Sequence, residues 1–520
     1  MTRDAAAIGA GLDPVRGARP IRVGERIHVV GAAGAGASAA ALLARAADAV
    51  VTGCDAGGPS PYTEAFDGAG ITLAASHDPT HVTTPPRPDR LAVTKALTAI
   101  DPDHAELRAA RDLGIPLEPW QQLIADAAIG RTLVAVAGTH GKSTTAGWLV
   151  HLLIEAGRDP SAFVGALLGS SLTGGPPATA RSGTGDAFVV EADEYAGNFD
   201  AYRPDVALLT TAEWDHPDVF ADIGAVTATF ERWLRRMPDG ATIVANVGDP
   251  GVDTVIEALD DCPLVVVAVA LTDADPRRGG HMRGLEERFA TAAGPAVPLV
   301  GRILAADPDG TTLEIHGLDP LAGPIEVRLP TAGRHNAANA LTVAGAALRL
   351  DLPTAAIVRG LATFAGVGRR LERKGEVGGV AVYDDYGHHP TAIRATISAI
   401  RQREPGRRVW AVYEPLTYHR TAALSSEFAD SLATADAVAV ADIWAGRDPD
   451  TTIASASGLA EAVAGLRPDI PVWAPGSVEA TAAWLAGQVR PGDAVLVMGG
   501  GHSYRIASDL LRRLEETSGR

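Results

Sequence analysis

The stretch "LVAVAGTHGKSTTAGWLV", Leu133 to Val150, decides the reading of the chain. An apolar run ends in a turn with two glycines, and the residues beyond it carry Leu149, Leu152, Leu153 and Ala156 at i, i+3, i+4 and i+7 before Gly157. This spacing predicts a strand, a phosphate-binding turn and an amphipathic helix. A Walker A loop needs a glycine five residues before its Gly-Lys pair, and here that position is Val136, inside the apolar run. The available glycine is Gly138, so the loop is shorter. Gly138 and Gly141 let the backbone fold around phosphate oxygens, and the helix N-terminus favours anionic charge. Lys142 supplies a point-like ammonium, and Ser143 is placed to hold Mg²⁺. The expectation is a nucleoside triphosphate site.

Working outward, lysine occurs only at Lys95, Lys142 and Lys374, and every other basic residue is arginine. A lysine at the phosphate turn is therefore a rare choice. The 520 residues are 46% hydrophobic and 21% charged, enough for several globular domains. A net charge of −18 argues against a general nucleic-acid or anionic-membrane surface. Cys54 and Cys262 are two unremarkable thiols on this reading, with no disulfide framework. No run approaches the ~20 apolar residues of a membrane span, so a cytoplasmic protein without membrane insertion is expected, with residues 1–24 a loose tail.

Strands and helices alternate along most of the chain, which predicts α/β layers built on parallel sheets. The block "RIHVVGAAGAGASAAALLARAADAVVTGCDAG" opens with an apolar strand, a glycine-rich turn and an alanine-rich helix, and a second strand leads to Asp55, a Rossmann-like start. In the second block, "DAFVVEADEY" and "DVALLTTAEWDHPDVF" put Glu191, Asp193, Glu194, Glu213, Asp215 and His216 at strand ends. Carboxylate and imidazole beside a phosphate turn suit a divalent ion and phosphoryl transfer. The third block follows "GVGRRLERKGEVGGVAVYDDYGHHP".

Six motifs in order, "GTHGKSTT", "VVEADEY", "AEWDH", "GRHNAANAL", "GVGRRLE" and "YDDYGHHPT", resemble those of the Mur ligases over nearly the whole chain from Ile27. The shortened loop is that family's form of the phosphate loop. The resemblance implies a three-domain α/β architecture: a Rossmann-like UDP-sugar domain over 25–130, a P-loop ATPase-like central domain over 131–367, and a Rossmann-like ligase domain over 368–520. It implies that Gly138, Thr139, His140, Gly141, Lys142, Ser143 and Thr144 bind ATP together with His335, Asn336, Asn339, Arg369 and Asp385. Ser143, Glu191 and His216 would hold Mg²⁺. Gly31, Gly34, Gly36, Ser38 and Asp55 would meet the UDP-sugar, and Tyr386, His388 and Arg420 the amino acid. Lys142, His388 and Arg420 are the implied catalytic residues.

Within the family the chain resembles the branch that joins L-alanine to the lactyl carboxylate of UDP-N-acetylmuramate in peptidoglycan synthesis. A carboxylate does not acylate an amine at neutral pH, so activation as an acyl phosphate is implied, in a monomer or homodimer. Ala33 replaces a glycine usual in the first turn, and Leu416 and Thr417 stand where His and Arg are usual. No lysine lies between Lys142 and Lys374, so the carbamylated lysine of several relatives has no counterpart in the central domain. A sister activity joins a ready-made tripeptide to the same UDP-sugar; "VYDDYGHHPTAI" and "AVYEP" lean that way, "YHRT" and "ADIWAGRDPD" towards the alanine ligase. A more distant alternative is an NAD(P)-binding protein, from the first βαβ unit and Asp55.

Overall fold

The computed structural model describes residues 5–518 except 275, 277–279, 320, 322, 447 and 449. Three sheets follow one another along the chain. The first has the order Thr72–Ala74, Val50–Cys54, Arg26–Val30, Arg90–Val93, Leu117–Pro119, all parallel. Its central strand Arg26–Val30 is buried on both faces beyond its first residue, and the helix Ala35–Ala46 follows directly. That is a Rossmann-like start, with the glycine-rich turn at the C-terminal end of the sheet.

The central sheet holds ten strands. Its parallel middle places Thr132–Ala137 between Val206–Leu209 and Ala187–Ala192, so the strand before the phosphate turn is flanked by the strands that lead to the acidic motifs. Val134 and Val136 point to one face with Trp148, Leu149 and Leu152 of the following helix; Leu133, Ala135 and Ala137 point to the other. Antiparallel strands extend both edges. The third sheet runs Glu372–Val377, Val380–Asp385, Asp493–Gly499, Arg408–Glu414, Ala437–Ala441, Val472–Gly476 and is parallel except at its first strand. Among the described residues no helix is long and apolar enough to cross a membrane.

The segment ahead of the first sheet departs from the loose tail expected. Arg16 pairs with Glu118 at 2.7 Å and Asp126 at 2.8 Å, Arg19 pairs with Glu25, and Thr98 donates its hydroxyl to the Ile8 carbonyl. The reason is electrostatic. Glu25 and Asp126 are buried beside Arg90, itself 1% exposed, and this single buried guanidinium cannot neutralise all the carboxylates around it. Arg16 and Arg19 bring the missing charge; burial pushes Glu25 up, but Arg19, the Arg22 N–H and Arg90 overcome it and hold Glu25 down at about 2.

Candidate active site

The C-terminal ends of all three sheets border one cavity of about 860 Å³. Gly34, Gly36 and Trp120 line it from the first domain, Gly141, Lys142, Glu191 and His216 from the second, and Asp385, Tyr386, His388 and Arg420 from the third. Parallel α/β sheets put ligands at this end of their strands, and a cleft between domains can close around a reaction.

At the phosphate turn, Gly138 and Gly141 have φ of 130° and 81°, where a side chain is disfavoured. A Cβ on Gly138 would also lie 2.3 Å from the Thr210 hydroxyl. Thr211 braces the turn by accepting from Thr139 N–H and, through its hydroxyl, from His140 N–H. Lys142 Nζ lies 2.6 Å from the Gly138 carbonyl and 3.1 Å from Glu194 Oε2. Burial disfavours its charge, but Glu194, Asp193 and Glu191 outweigh that and keep it an ammonium. Burial in turn pushes Glu194 up to about 7 despite Lys142.

The expected metal residues fall in two groups. Ser143 Oγ donates to Glu191 Oε1 at 3.1 Å, and Glu191 Oε2 accepts from Gly165 N–H. His216 sits apart from that pair, with ligand atoms of Asp193 and Glu194 within 4.8 Å. Hydroxyl, carboxylate and imidazole beside a phosphate turn fit Mg²⁺, a hard cation taken mainly by oxygen.

From the third domain, Asp385 is buried at the end of its strand and accepts from Leu371 and Gly387 N–H. His388 Nδ1 lies 2.9 Å from the Tyr386 carbonyl, which can only accept, so Nδ1 carries the proton and Nε2 keeps its lone pair. Burial, reinforced by Arg420, holds this imidazole neutral, well below its ordinary pKa. Arg420 is buried and donates to Asp215 Oδ1 at 2.7 Å and to His216 Nδ1 at 3.1 Å, a bond between domains. His335, Asn336 and Asn339 line the cavity near the turn, and burial lowers His335 to about 4. The Asn339 amide stands where a Cβ on Gly141 would reach. His216, Leu371 and Thr417 all line the cavity and carry positive φ between 51° and 61° without being glycine. Their collection around one cavity is the strain that functional sites hold.

Three expectations need correction. Arg369, expected on ATP, turns away: it pairs with Asp384, donates to the Gly499 carbonyl and Ser503 Oγ, and lies over Tyr386 and Tyr504. Arg370 faces the phosphate turn instead, donating to Ser143 Oγ at 2.8 Å. Ser38, expected on the UDP-sugar, is fully buried and spends its hydroxyl on the Ala35 carbonyl and Thr179. Asp55 accepts from Ala33 and Gly57 N–H, so it shapes the turn rather than reaching for a ribose.

Sequence reasoning also missed Lys95, which lines the cavity, donates to the Ala196 carbonyl at 2.7 Å and is lowered to about 8 by burial. Its rarity as a lysine was the available signal. Glu213 bridges domains unforeseen, taking a hydrogen bond from Thr391 at 2.7 Å and facing His140 at 3.2 Å.

Comparison with known proteins follows this geometry domain by domain. Residues 26–132 match the "Mur ligase family, catalytic domain", 136–347 the "Mur ligase middle domain", and 369–501 the "Mur ligase, glutamate ligase domain". The UDP-N-acetylmuramate–L-alanine ligase of Kineococcus radiotolerans is 37% identical over 495 residues, covering 94% of this chain and 96% of that one. Among solved structures, the UDP-N-acetylmuramate–alanine ligase of Thermotoga maritima superposes with a TM-score of 0.73 at 20% identity, covering 95% and 99%. A murein peptide ligase from Psychrobacter arcticus does so with 0.67 at 24%, covering 94% and 99%. These two likenesses are of fold, and fold alone does not separate the two activities.

Proposed function

The chain belongs to the Mur ligase family, and on that premise we propose that it activates its acid substrate as an acyl phosphate inside the three-domain cavity. It is an ATP-dependent ligase that joins L-alanine to UDP-N-acetylmuramate in peptidoglycan synthesis, as its curated relatives do. The observation that carries the mechanistic reading is the meeting of the phosphate turn and the "YDDYGHH" turn across one cavity, with Arg370 bonded to Ser143.

Lys142 exchanges the Gly138 carbonyl and Glu194 for phosphate oxygens, a short move for a flexible stem already at the turn. Arg370 adds a second cation from the opposite domain. The chemistry brings two anions together, the lactyl carboxylate and the γ-phosphoryl, so preorganised positive charge lowers its barrier most. Ser143 with Glu191, and Asp193 and Glu194 with His216, are the groups that would hold Mg²⁺. When bound, the ion neutralises phosphate charge. His388 presents Nε2 to accept a hydrogen bond from the amine of alanine once that amine is neutral; so low a pKa suits a positioning acceptor better than a strong base. Arg420, held by Asp215 and His216, is poised at the cavity wall for the amino-acid carboxylate. A reaction that consumes ATP and a nucleotide sugar belongs in the cytoplasm.

The test compares kcat/KM for L-alanine and for the tripeptide L-Ala-γ-D-Glu-meso-diaminopimelate, following phosphate release. We expect alanine to win, glycine to trail by roughly 10- to 200-fold for its missing methyl, and no release without the UDP-sugar. A tenfold preference for tripeptide would transfer the chain to the sister activity.

A further inference from the structure

Behind the first glycine-rich turn, on the sheet face turned away from the Ala35–Ala46 helix, several side chains unused by the ligase reaction converge. His28 lies on the central strand and Cys54 ends its neighbour, in register so that both face the same side. His81 comes from the four-residue helix Thr80–Thr83, and Glu106 from the first turn of Ala105–Asp112. One ligand atom from each of these four residues lies within 4.8 Å of all the others.

The two spacings at the Cys54 sulfur are those of a coordination shell. Cys54 Sγ is 3.3 Å from His28 Nε2 and 3.3 Å from Glu106 Oε2, while His81 Nδ1 is 2.6 Å from Glu106 Oε1. A tetrahedron with bonds of about 2.0–2.3 Å has edges of roughly 3.3–3.8 Å. The His81–Glu106 edge is shorter, contracted by a close hydrogen bond between the two. The orienting contact is present too: His28 Nδ1 lies 2.8 Å from Thr52 Oγ1, which leaves Nε2 for the centre. His77 stands at the rim, 3.1 Å from Cys54 Sγ. Val30, Leu91, Val93 and Leu107 surround the group. A dry apolar layer is a costly place for so many polar groups unless something satisfies them together. The Glu106 side chain is fully buried, but His77 and His81 are 17% and 23% exposed, leaving a way in.

We propose that His28, Cys54, His81 and Glu106 form a structural zinc site of the N-terminal domain. Two imidazoles, a thiolate and a carboxylate are a donor set that zinc accepts, and four protein ligands close the shell. On binding, the Cys54 S–H bond breaks, its proton passes to solvent and the sulfur bonds the metal, with no change of oxidation state. The ion ties two strands to two short helices. It also backs the substrate turn, because the Cys54 carbonyl accepts from both Gly31 and Ala32 N–H.

The full chain, dialysed against chelator, is titrated with Co²⁺ as a probe and then with Zn²⁺. About one Co²⁺ per chain should bind with a thiolate-to-cobalt charge-transfer absorption that Zn²⁺ abolishes and excess Mg²⁺ does not. That sulfur signature cannot come from the clusters around the ATP turn, which hold no cysteine. Cys54→Ala should lose it. His81→Ala, at the exposed rim, keeps the fold by circular dichroism and should lose at least about a hundredfold in affinity, and Thr52→Val about 10- to 100-fold through His28. No charge-transfer band in the wild-type chain, or equal affinity in wild type and His81→Ala, overturns the site and leaves a hydrogen-bonded buried cluster.

Discussion

Two glycine-rich turns, Gly31–Gly36 and Gly138–Gly141, occupy the same place in successive sheets, each between an interior parallel strand and a helix. Both use a positive-φ glycine, and both are braced from the next strand end, the first by Cys54 and Asp55 and the second by Thr211 and Glu213. They differ in what surrounds them. The first has Trp120 packed on Gly36 and no cation on the turn itself, whereas the second carries Lys142, has Arg370 opposite, and sits among Glu191, Asp193 and Glu194. The backbone device is shared; in the function proposed above, charge supplied by the neighbours decides which turn handles a triphosphate and which holds a sugar nucleotide.

Removing the charge from the second turn should break this comparison most sharply. Lys142→Ala is expected to lower kcat by about 10³ or more, since one preorganised donor is worth about 10²–10³ and the lysine also orients ATP. UDP-sugar affinity, measured by calorimetry, should hold, and Lys142→Arg should not restore turnover because a planar fork does not fit a turn shaped for a point charge. A variant that still turns over normally would end the phosphate-turn assignment.

Arg370→Ala comes next. Loss of a charged hydrogen-bond donor facing Ser143 should cost roughly 10- to 100-fold in kcat/KM for ATP, while Arg369→Ala should instead lower Tm, because Arg369 holds Asp384, Gly499 and Ser503 within its own domain. If the two variants exchange phenotypes in paired kinetics and melting, Arg370 does not serve the cavity.

The first turn is probed by Gly36→Ala. Its Cβ would lie 2.2 Å from the Trp120 ring, so the ring must shift, at about 1–3 kcal/mol. KM for the UDP-sugar should rise about tenfold with the KM for ATP unchanged. An equal rise in both would mean that the turns are not separate sites.

The smallest effect concerns the brace of the second turn. Burial raises the Glu213 carboxyl, but its hydrogen bond with His140 prevails and holds it down to about 2. A depressed carboxyl contributes stability that is full above its unfolded value near 4.5 and is lost as pH falls towards 2. Glu213→Gln should therefore lower stability at pH 7 by about 1–2 kcal/mol, after allowance for screening of a partly exposed group. Melting curves of variant and wild type should converge as the pH approaches 2. A gap that persists there would refute the carboxylate's role.

Local patterns were the easiest part to read. The strand and helix around Gly138–Ser143 follow from apolar spacing, and the acidic motifs fall at strand ends beside the turn because adjacent parallel strands finish at one edge of the sheet. Arg369 and Arg370 show the limit. Neighbours in sequence point in different directions, and which one meets the phosphate turn depends on the left-handed backbone at Arg369 and on where the third sheet lies. Ser38 reads as a UDP-sugar contact near a glycine turn, yet the central domain's Thr179 covers it. Cys54 illustrates the same point, since its partners at His28, His81 and Glu106 share no motif spacing.

By itself the sequence determined the order of the elements, the phosphate turn with its scarce lysine, the family and hence the reaction, because these rest on short-range periodicity and contiguous motifs. Tertiary structure alone decided which of two arginines faces the turn, that the leading segment is held by buried carboxylates, and that Arg420 reaches Asp215 and His216 across the cavity. The physical reason is that side-chain direction and charge balance in a buried site depend on groups distant in the chain. Burial makes each of them need a partner, and only the packed fold says which one it finds.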